Sequence, residues 1–101
     1  MAGPIYKMFY GRMKEAWYQL SQEQQDGIWS QMQEGFKKVG GKPIAICDSI
    51  WSSEKWQFWG VEEYPSLEAL QEYSNCLFEM DWFRYCDSEI LLGTAMPSDA
   101  A

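Results

Sequence analysis

Lys-Trp-Gln-Phe-Trp-Gly-Val-Glu-Glu-Tyr-Pro-Ser-Leu-Glu-Ala-Leu, residues 55–70, joins a strand end to a helix start. Trp56, Phe58, Trp59 and Val61 are aromatic or β-branched and suit a pleated sheet. Pro65 stops the strand because it has no N–H for a ladder. Ser66 is a good N-cap, and Glu68 sits in the first turn, where a carboxylate complements the helix dipole. Position 69 is Ala, so the reciprocal half of a capping box is missing. Leu67, Leu70 and Leu77 mark one apolar stripe, and Ala69, Tyr73, Cys76 and Met80 a neighbouring one. Together they predict a helix to about residue 80 with a wide buried face.

Upstream, residues 44–51 read as a strand and 52–54 as a tight turn into a strand over 55–63, an antiparallel hairpin. A three-residue turn sets Cys47 opposite Trp59 and Asp48 opposite Phe58. A two-residue turn pairs Cys47 with Phe58 and Ile46 with Trp59, and a one-residue slip reverses every facing on one strand. Before the hairpin, Ser21-Gln-Glu-Gln24 fits a capping box. Ile28, Met32, Phe36 and Val39 then recur at spacings of 4, 4 and 3, Lys37 and Lys38 occupy the last turn, and Gly40-Gly41 can end a helix over 22–39. Residues 5–10 are a first strand punctuated by Gly11, and 13–20 a helical turn with Trp17 and Leu20 on one side. Downstream, 81–86 form a helical turn or a short further helix that Asp81 can cap, 88–95 the fourth strand, and 96–101 a frayed tail.

The order β-α-β-β-α-β is that of the α+β, ferredoxin-like split βαβ arrangement. Right-handed crossovers place both helices on one face of a four-stranded antiparallel sheet. Each strand has large apolar residues at both parities: Tyr6, Met8 and Tyr10 against Ile5 and Phe9, and Trp56 and Phe58 against Trp59 and Val61. The helix-free face therefore also needs burial, and a second copy of the chain is its simplest cover.

At 101 residues the chain has room for a single domain with one core, over residues 1–101. Its formal charge of −7 repels phosphate backbones and anionic lipid, so neither nucleic acid nor a membrane is an expected partner. No apolar run approaches the roughly 20 residues that span a bilayer, and no signal peptide is visible. Cys47, Cys76 and Cys86 are odd in number and form no C-x-x-C, which argues against disulfides and zinc and for small thiols in a reducing cytoplasm. Histidine is absent, which removes the commonest general base and metal ligand and every Ser-His-Asp or Cys-His mechanism. No Gly-rich phosphate loop is present, so nucleotide binding has no support, and with no histidine to ligate haem or a metal no cofactor is expected. Aromatics reach 17%, enough for some to face a pocket or a partner rather than the core.

The element order, the length and the junction over residues 61–70 resemble the dimeric α/β-barrel superfamily, and among its members small uncharacterised bacterial proteins. The resemblance implies a homodimer in which two open sheets pack face to face. The superfamily includes cofactor-independent monooxygenases, muconolactone-type isomerases, haem enzymes and members without known activity. Many of the characterised sites use His, so no catalytic residue carries over, and the haem branch is disfavoured.

The residues themselves supply the site candidates. Glu62 and Glu63 are adjacent in a strand, so only one can face inward. An inward Glu beside Trp56 or Trp59 would be a general acid or base; otherwise both are solvated acids at a strand end. Asp48 interrupts an apolar strand: it is either paired with Arg12 or Arg84 in a cavity or bonded to nearby backbone. Trp17, Trp51, Trp56, Trp59 and Trp82 can wall a pocket or simply pack, with Tyr10 or Tyr64 offering a hydroxyl and Arg12 fixing an anion. Arg84-Tyr85-Cys86 reads as a structural Cys, since no base adjoins it. The expected function is binding of a small aromatic or enolisable compound in an apolar cavity, with cofactor-free oxygenation or isomerisation. The alternative is a non-enzymatic interaction module whose barrel is filled by side chains.

Overall fold

The computed structural model describes residues 3–97. The elements are β1 (Ile5–Met13), a short α1 (Glu15–Tyr18), α2 (Gln22–Lys38), β2 (Lys42–Asp48), β3 (Phe58–Tyr64), α3 (Leu67–Glu79), a 3₁₀ turn (Trp82–Arg84) and β4 (Cys86–Gly93). The four strands form one antiparallel sheet in the order β2-β3-β1-β4, the ferredoxin-like topology.

The helix caps form as their sequences dictate. Ser21 Oγ accepts from the Gln24 backbone N–H at 3.1 Å while Gln24 Oε1 accepts from the Ser21 N–H at 2.9 Å. Gly40, at φ +80°, closes the other end of α2 by donating to the Lys37 carbonyl, and Gly41 donates to that of Phe36. Ser66 Oγ caps α3 by accepting from the Ala69 N–H at 3.1 Å. Asp81 behaves otherwise. It takes up the left-handed conformation (φ 58°, ψ 36°) that turns the chain out of α3, and its side chain makes no cap bond.

Two strands differ from expectation for identifiable reasons. Gly11 does not end β1; a Cβ there would lie 2.3 Å from Phe58 Cζ, so the missing side chain makes room for a ring on the neighbouring strand. The hairpin keeps the Cys47–Trp59, Asp48–Phe58 register of a three-residue turn, yet its strands stop at Asp48 and Phe58. Polar side chains take over the intervening backbone groups. Asp48 Oδ1 accepts from the Ile50 N–H, Ser49 Oγ donates to the Trp56 carbonyl, and Ser53 Oγ accepts from the N–H groups of Lys55 and Trp56. Gln57 Oε1 accepts from the Met13 N–H at 2.7 Å and so substitutes for a ladder partner. Near Pro43 and Ala45 the β2–β3 register shifts by one residue at a bulge. Of the expected tail, Met96 and Pro97 carry no regular structure, and residues 98–101 lie outside the described residues.

The core is one cluster of Ile5, Trp17, Tyr64, Leu70, Tyr73, Leu77, Trp82 and Cys86. Ile28, Met32 and Phe36 of α2 and its C-cap Val39 pack against it only partly, and no residue of α2 is fully buried. The space below α2 is where the candidate site lies. No described helix is long and apolar enough to cross a membrane.

Candidate functional site: a chamber between sheet and helices

A chamber of about 750 Å³ separates the helix-facing side of the sheet from α2 and α3, a size typical of small-molecule sites. Alternation in β1 and β3 sets its floor. Ile5, Lys7 and Phe9 share a parity, and antiparallel pairing puts Lys7 opposite Glu62 and Gly11 opposite Phe58. Lys7, Phe9, Phe58 and Glu62 all line the chamber. Trp29, Met32 and Phe36 hang from α2 above it, and Tyr73 and Leu77 close it from α3. Trp82 supports the end wall, with its ring 5.5 Å from that of Trp29 and 5.9 Å from that of Trp17. At the mouth Ile46, Phe78 and Ile90 remain more than half exposed.

The floor carries one ionic group in apolar surroundings. Lys7 is only 7% exposed. Its Nζ lies 3.8 Å from Glu62 Oε1 and 5.5 Å from the centre of the Tyr73 ring. The same Glu62 Oε1 accepts a 2.7 Å hydrogen bond from the hydroxyl of Tyr64, which is fully buried. Burial lowers the pKa of Lys7 below its ordinary value, while the charge of Glu62 opposes the fall. The hydroxyls of Tyr64 and Tyr73 are pushed well above the usual tyrosine range, first by burial and then by the charge of Glu62. Both hydroxyls therefore keep their protons at neutral pH, and that of Tyr64 donates its hydrogen bond to Glu62. Cys86, at the far end, has its thiol pushed up to about 11, chiefly by burial. Among the described residues no cluster of His, Cys, Asp and Glu could hold a metal ion.

The sequence candidates divide between the two faces of the sheet. Glu62 faces the chamber, while Glu63 lies on the opposite face across from Tyr6. The aromatic neighbours expected for the inward acid are not the ones it has. Trp59 shares the open face with its cross-strand partner Tyr10, and Trp56 stacks on Tyr10 at 6.0 Å. Arg12 is exposed; it reaches Asp87 at 3.3 Å and covers the Trp56 ring. Asp48 is exposed and bonded to the Ile50 backbone, the local alternative, and pairs with neither Arg12 nor Arg84. Trp51 is 83% exposed at the hairpin tip, and Trp17 is buried in the aromatic core. Of the candidates Glu62, Glu63, Asp48, Tyr10, Arg12, Trp17, Trp51, Trp56, Trp59 and Trp82, only Glu62 and Trp82 line the chamber. The cavity thus sits on the helix side of the sheet rather than on the open face that a barrel would enclose. Lys7, Tyr73 and Trp29 were missed. The signal for Lys7 was present, as one cation between Ile5 and Phe9 on the apolar parity of a strand.

No family model matches the chain, and no curated protein does. Among solved structures, a chlorite dismutase mutant from Candidatus Nitrospira defluvii superposes with a TM-score of 0.74 at 13% identity, over 96% of this chain and 42% of that one. The chain therefore spans less than half the length of that protein. SnoaB, a cofactor-independent oxygenase from Streptomyces nogalater, gives 0.60 at 12% identity over 96% and 97% of the two chains. A dabb family protein with a ferredoxin-like fold from Mesorhizobium loti gives 0.57 at 14% identity over 94% and 99%. At such identities the likeness shows the fold, which is the ferredoxin-like α+β fold expected from the element order.

Proposed function

We propose that the chamber binds a small, flat aromatic or enolisable compound and supports cofactor-free proton transfer on it. The observation that carries this reading is the buried Lys7–Glu62 pair on the floor of an otherwise aromatic and aliphatic chamber. Glu62 is the base. Tyr64 holds its Oε1, which leaves Oε2 without a hydrogen-bond partner among the described residues. Lys7 stabilises the oxyanion that develops when a proton leaves a phenol or the carbon beside a carbonyl. Phe9, Phe58 and Trp29 supply faces for a planar ring. The cofactor-independent oxygenase SnoaB, with the same fold over nearly its full length, supports such chemistry as a reading for this chain.

The chain acts, in this reading, as a homodimer joined through the open sheet face, where Tyr6, Met8, Tyr10, Trp59 and Val61 remain only partly buried. Three free thiols fit a reducing cytoplasm. Titration of tryptophan fluorescence with phenols and aryl ketones tests the site, because Trp29 and Trp82 line it. Saturable quenching that weakens in Glu62→Gln is expected, and a flat response across the series would refute the site. Light scattering tests the dimer: twice the 11.8 kDa chain mass is expected, and the mass of one chain refutes it.

An interaction module is the second reading, favoured by the exposed Ile50 and Trp51 at the hairpin tip. It requires that ligands leave Trp29 and Trp82 unaffected.

A further inference from the structure

Lys7 is the one buried lysine among the described residues; Lys37 also borders the chamber but lies on the exposed side of α2. Its distance to Glu62, 3.8 Å, is too long for a hydrogen bond, so the ammonium is not locked to the carboxylate. The two charges cancel at the chamber floor. An anionic ligand approaching Lys7 would meet the carboxylate of Glu62 as well, whereas a neutral, polar carbonyl group meets no such repulsion. An amine in an apolar chamber with a carboxylate within one proton transfer has the parts of a carbonyl-capturing group.

We propose that Lys7 Nζ captures the carbonyl carbon of an aromatic aldehyde or ketone in the chamber as an imine. This rests on the chamber being a ligand site and goes beyond proton transfer. The neutral amine attacks the carbonyl carbon, the C–N bond forms, and the π electrons move to oxygen. Glu62 carries one proton from the nitrogen to the alkoxide, giving a carbinolamine, and then carries the second nitrogen proton to the departing hydroxyl. Water leaves as the C=N bond forms. One carbonyl and one amine give one imine and one water, with no oxidant or reductant required. Burial favours the neutral amine that begins the sequence, the charge of Glu62 working against it. The groups facing the amine are Glu62 and Tyr73, and the Tyr64 hydroxyl is bonded to Glu62.

The test uses the full chain with naphthaldehyde and sodium cyanoborohydride, which reduces an imine to a stable amine, followed by intact mass measurement and peptide mapping. A single adduct at Lys7 is expected, formed at least about tenfold faster than at Lys14, Lys37, Lys38, Lys42 or Lys55, since the chamber holds the bound aldehyde beside this buried amine. Lys7→Arg, which keeps the charge, removes that adduct while circular dichroism stays unchanged. Should that variant fold poorly, the wild-type peptide map decides alone. Labelling spread over the surface lysines, with Lys7 no faster than the rest, overturns the proposal. Naphthalenemethanol, which cannot form an imine, separates the two readings. Saturable tryptophan quenching by it, together with no Lys7 adduct from naphthaldehyde, removes the imine and leaves the binding site standing; no quenching and no naphthaldehyde adduct removes both.

Discussion

Charge coupling on the chamber floor is open to a double-mutant cycle with Lys7→Met, Glu62→Gln and the pair. At 3.8 Å, Coulomb's law gives about 4 kcal/mol at an effective dielectric of about 20. The two side chains are 9% and 13% exposed, so bulk screening is slight, and water admitted by the chamber reduces the coupling to about 2 kcal/mol. Removing Lys7 alone leaves a buried carboxylate with Tyr64 as its hydrogen-bond partner and costs about 3 kcal/mol. Glu62→Gln keeps an acceptor for the Tyr64 hydroxyl but strands the ammonium, at about 2 kcal/mol. The double variant has neither charge buried and loses about 3 kcal/mol, well short of the sum. Urea unfolding at one fixed protein concentration is the assay. Effects that add to within about 0.5 kcal/mol would refute coupling on the floor. The pH dependence has a definite sign. Because the folded pKa of Lys7 lies below 10.5, the unfolded chain holds more protons between the two values, and stability contributed by this group rises with pH across that window. The rise should be present in the wild type and absent from Lys7→Met. The exposed Arg12–Asp87 pair, at 47% and 44%, should show coupling of no more than about 1 kcal/mol in the same assay.

Gly60→Ala places a Cβ 2.6 Å from Phe9 Cζ and 2.7 Å from the Ala45 carbonyl oxygen. The backbone oxygen cannot give way cheaply, so a loss of about 1–3 kcal/mol is expected by urea unfolding. Iodoacetamide at pH 8 should label Cys47, on the open face, well before Cys86. With its pKa at about 11, Cys86 has only about one thiol in a thousand ionised there; peptide mapping gives the order, and equal rates would contradict the burial. Ser21→Ala removes one half of the α2 capping box and should cost about 1 kcal/mol in thermal or urea unfolding.

The sequence carried the architecture well because its boundaries are marked by local chemistry. The Ser21 and Ser66 caps, the Gly40 terminator and Pro65 each act within a turn of their own position. Long-range facts were harder to read. Lys7 meets Glu62 only through the β1–β3 register, 55 positions apart on subtracting 7 from 62, and no local signal sets that register. Hairpin strand length was misjudged because Asp48, Ser49, Ser53 and Gln57 satisfy backbone groups with side chains that composition alone would place in a strand or a short turn. The acidic-aromatic juxtaposition over residues 56–63 is divided by the pleat: Glu62 goes to the chamber, while Trp59 and Glu63 go to the open face. The aromatic wall of the chamber comes instead from Phe9, Phe58 and Trp29, on three different elements.

Co-crystallisation with an aryl ketone or naphthaldehyde tests the chamber as a small-molecule site most directly. Ligand density between the sheet and α2, with the carbonyl oxygen or carbon against Lys7 Nζ and the ring between Phe9 and Trp29, is the expected result. Ligand found only on the open sheet face, or a chamber closed by the movement of Trp29 and Phe36 onto Phe58, would contradict it.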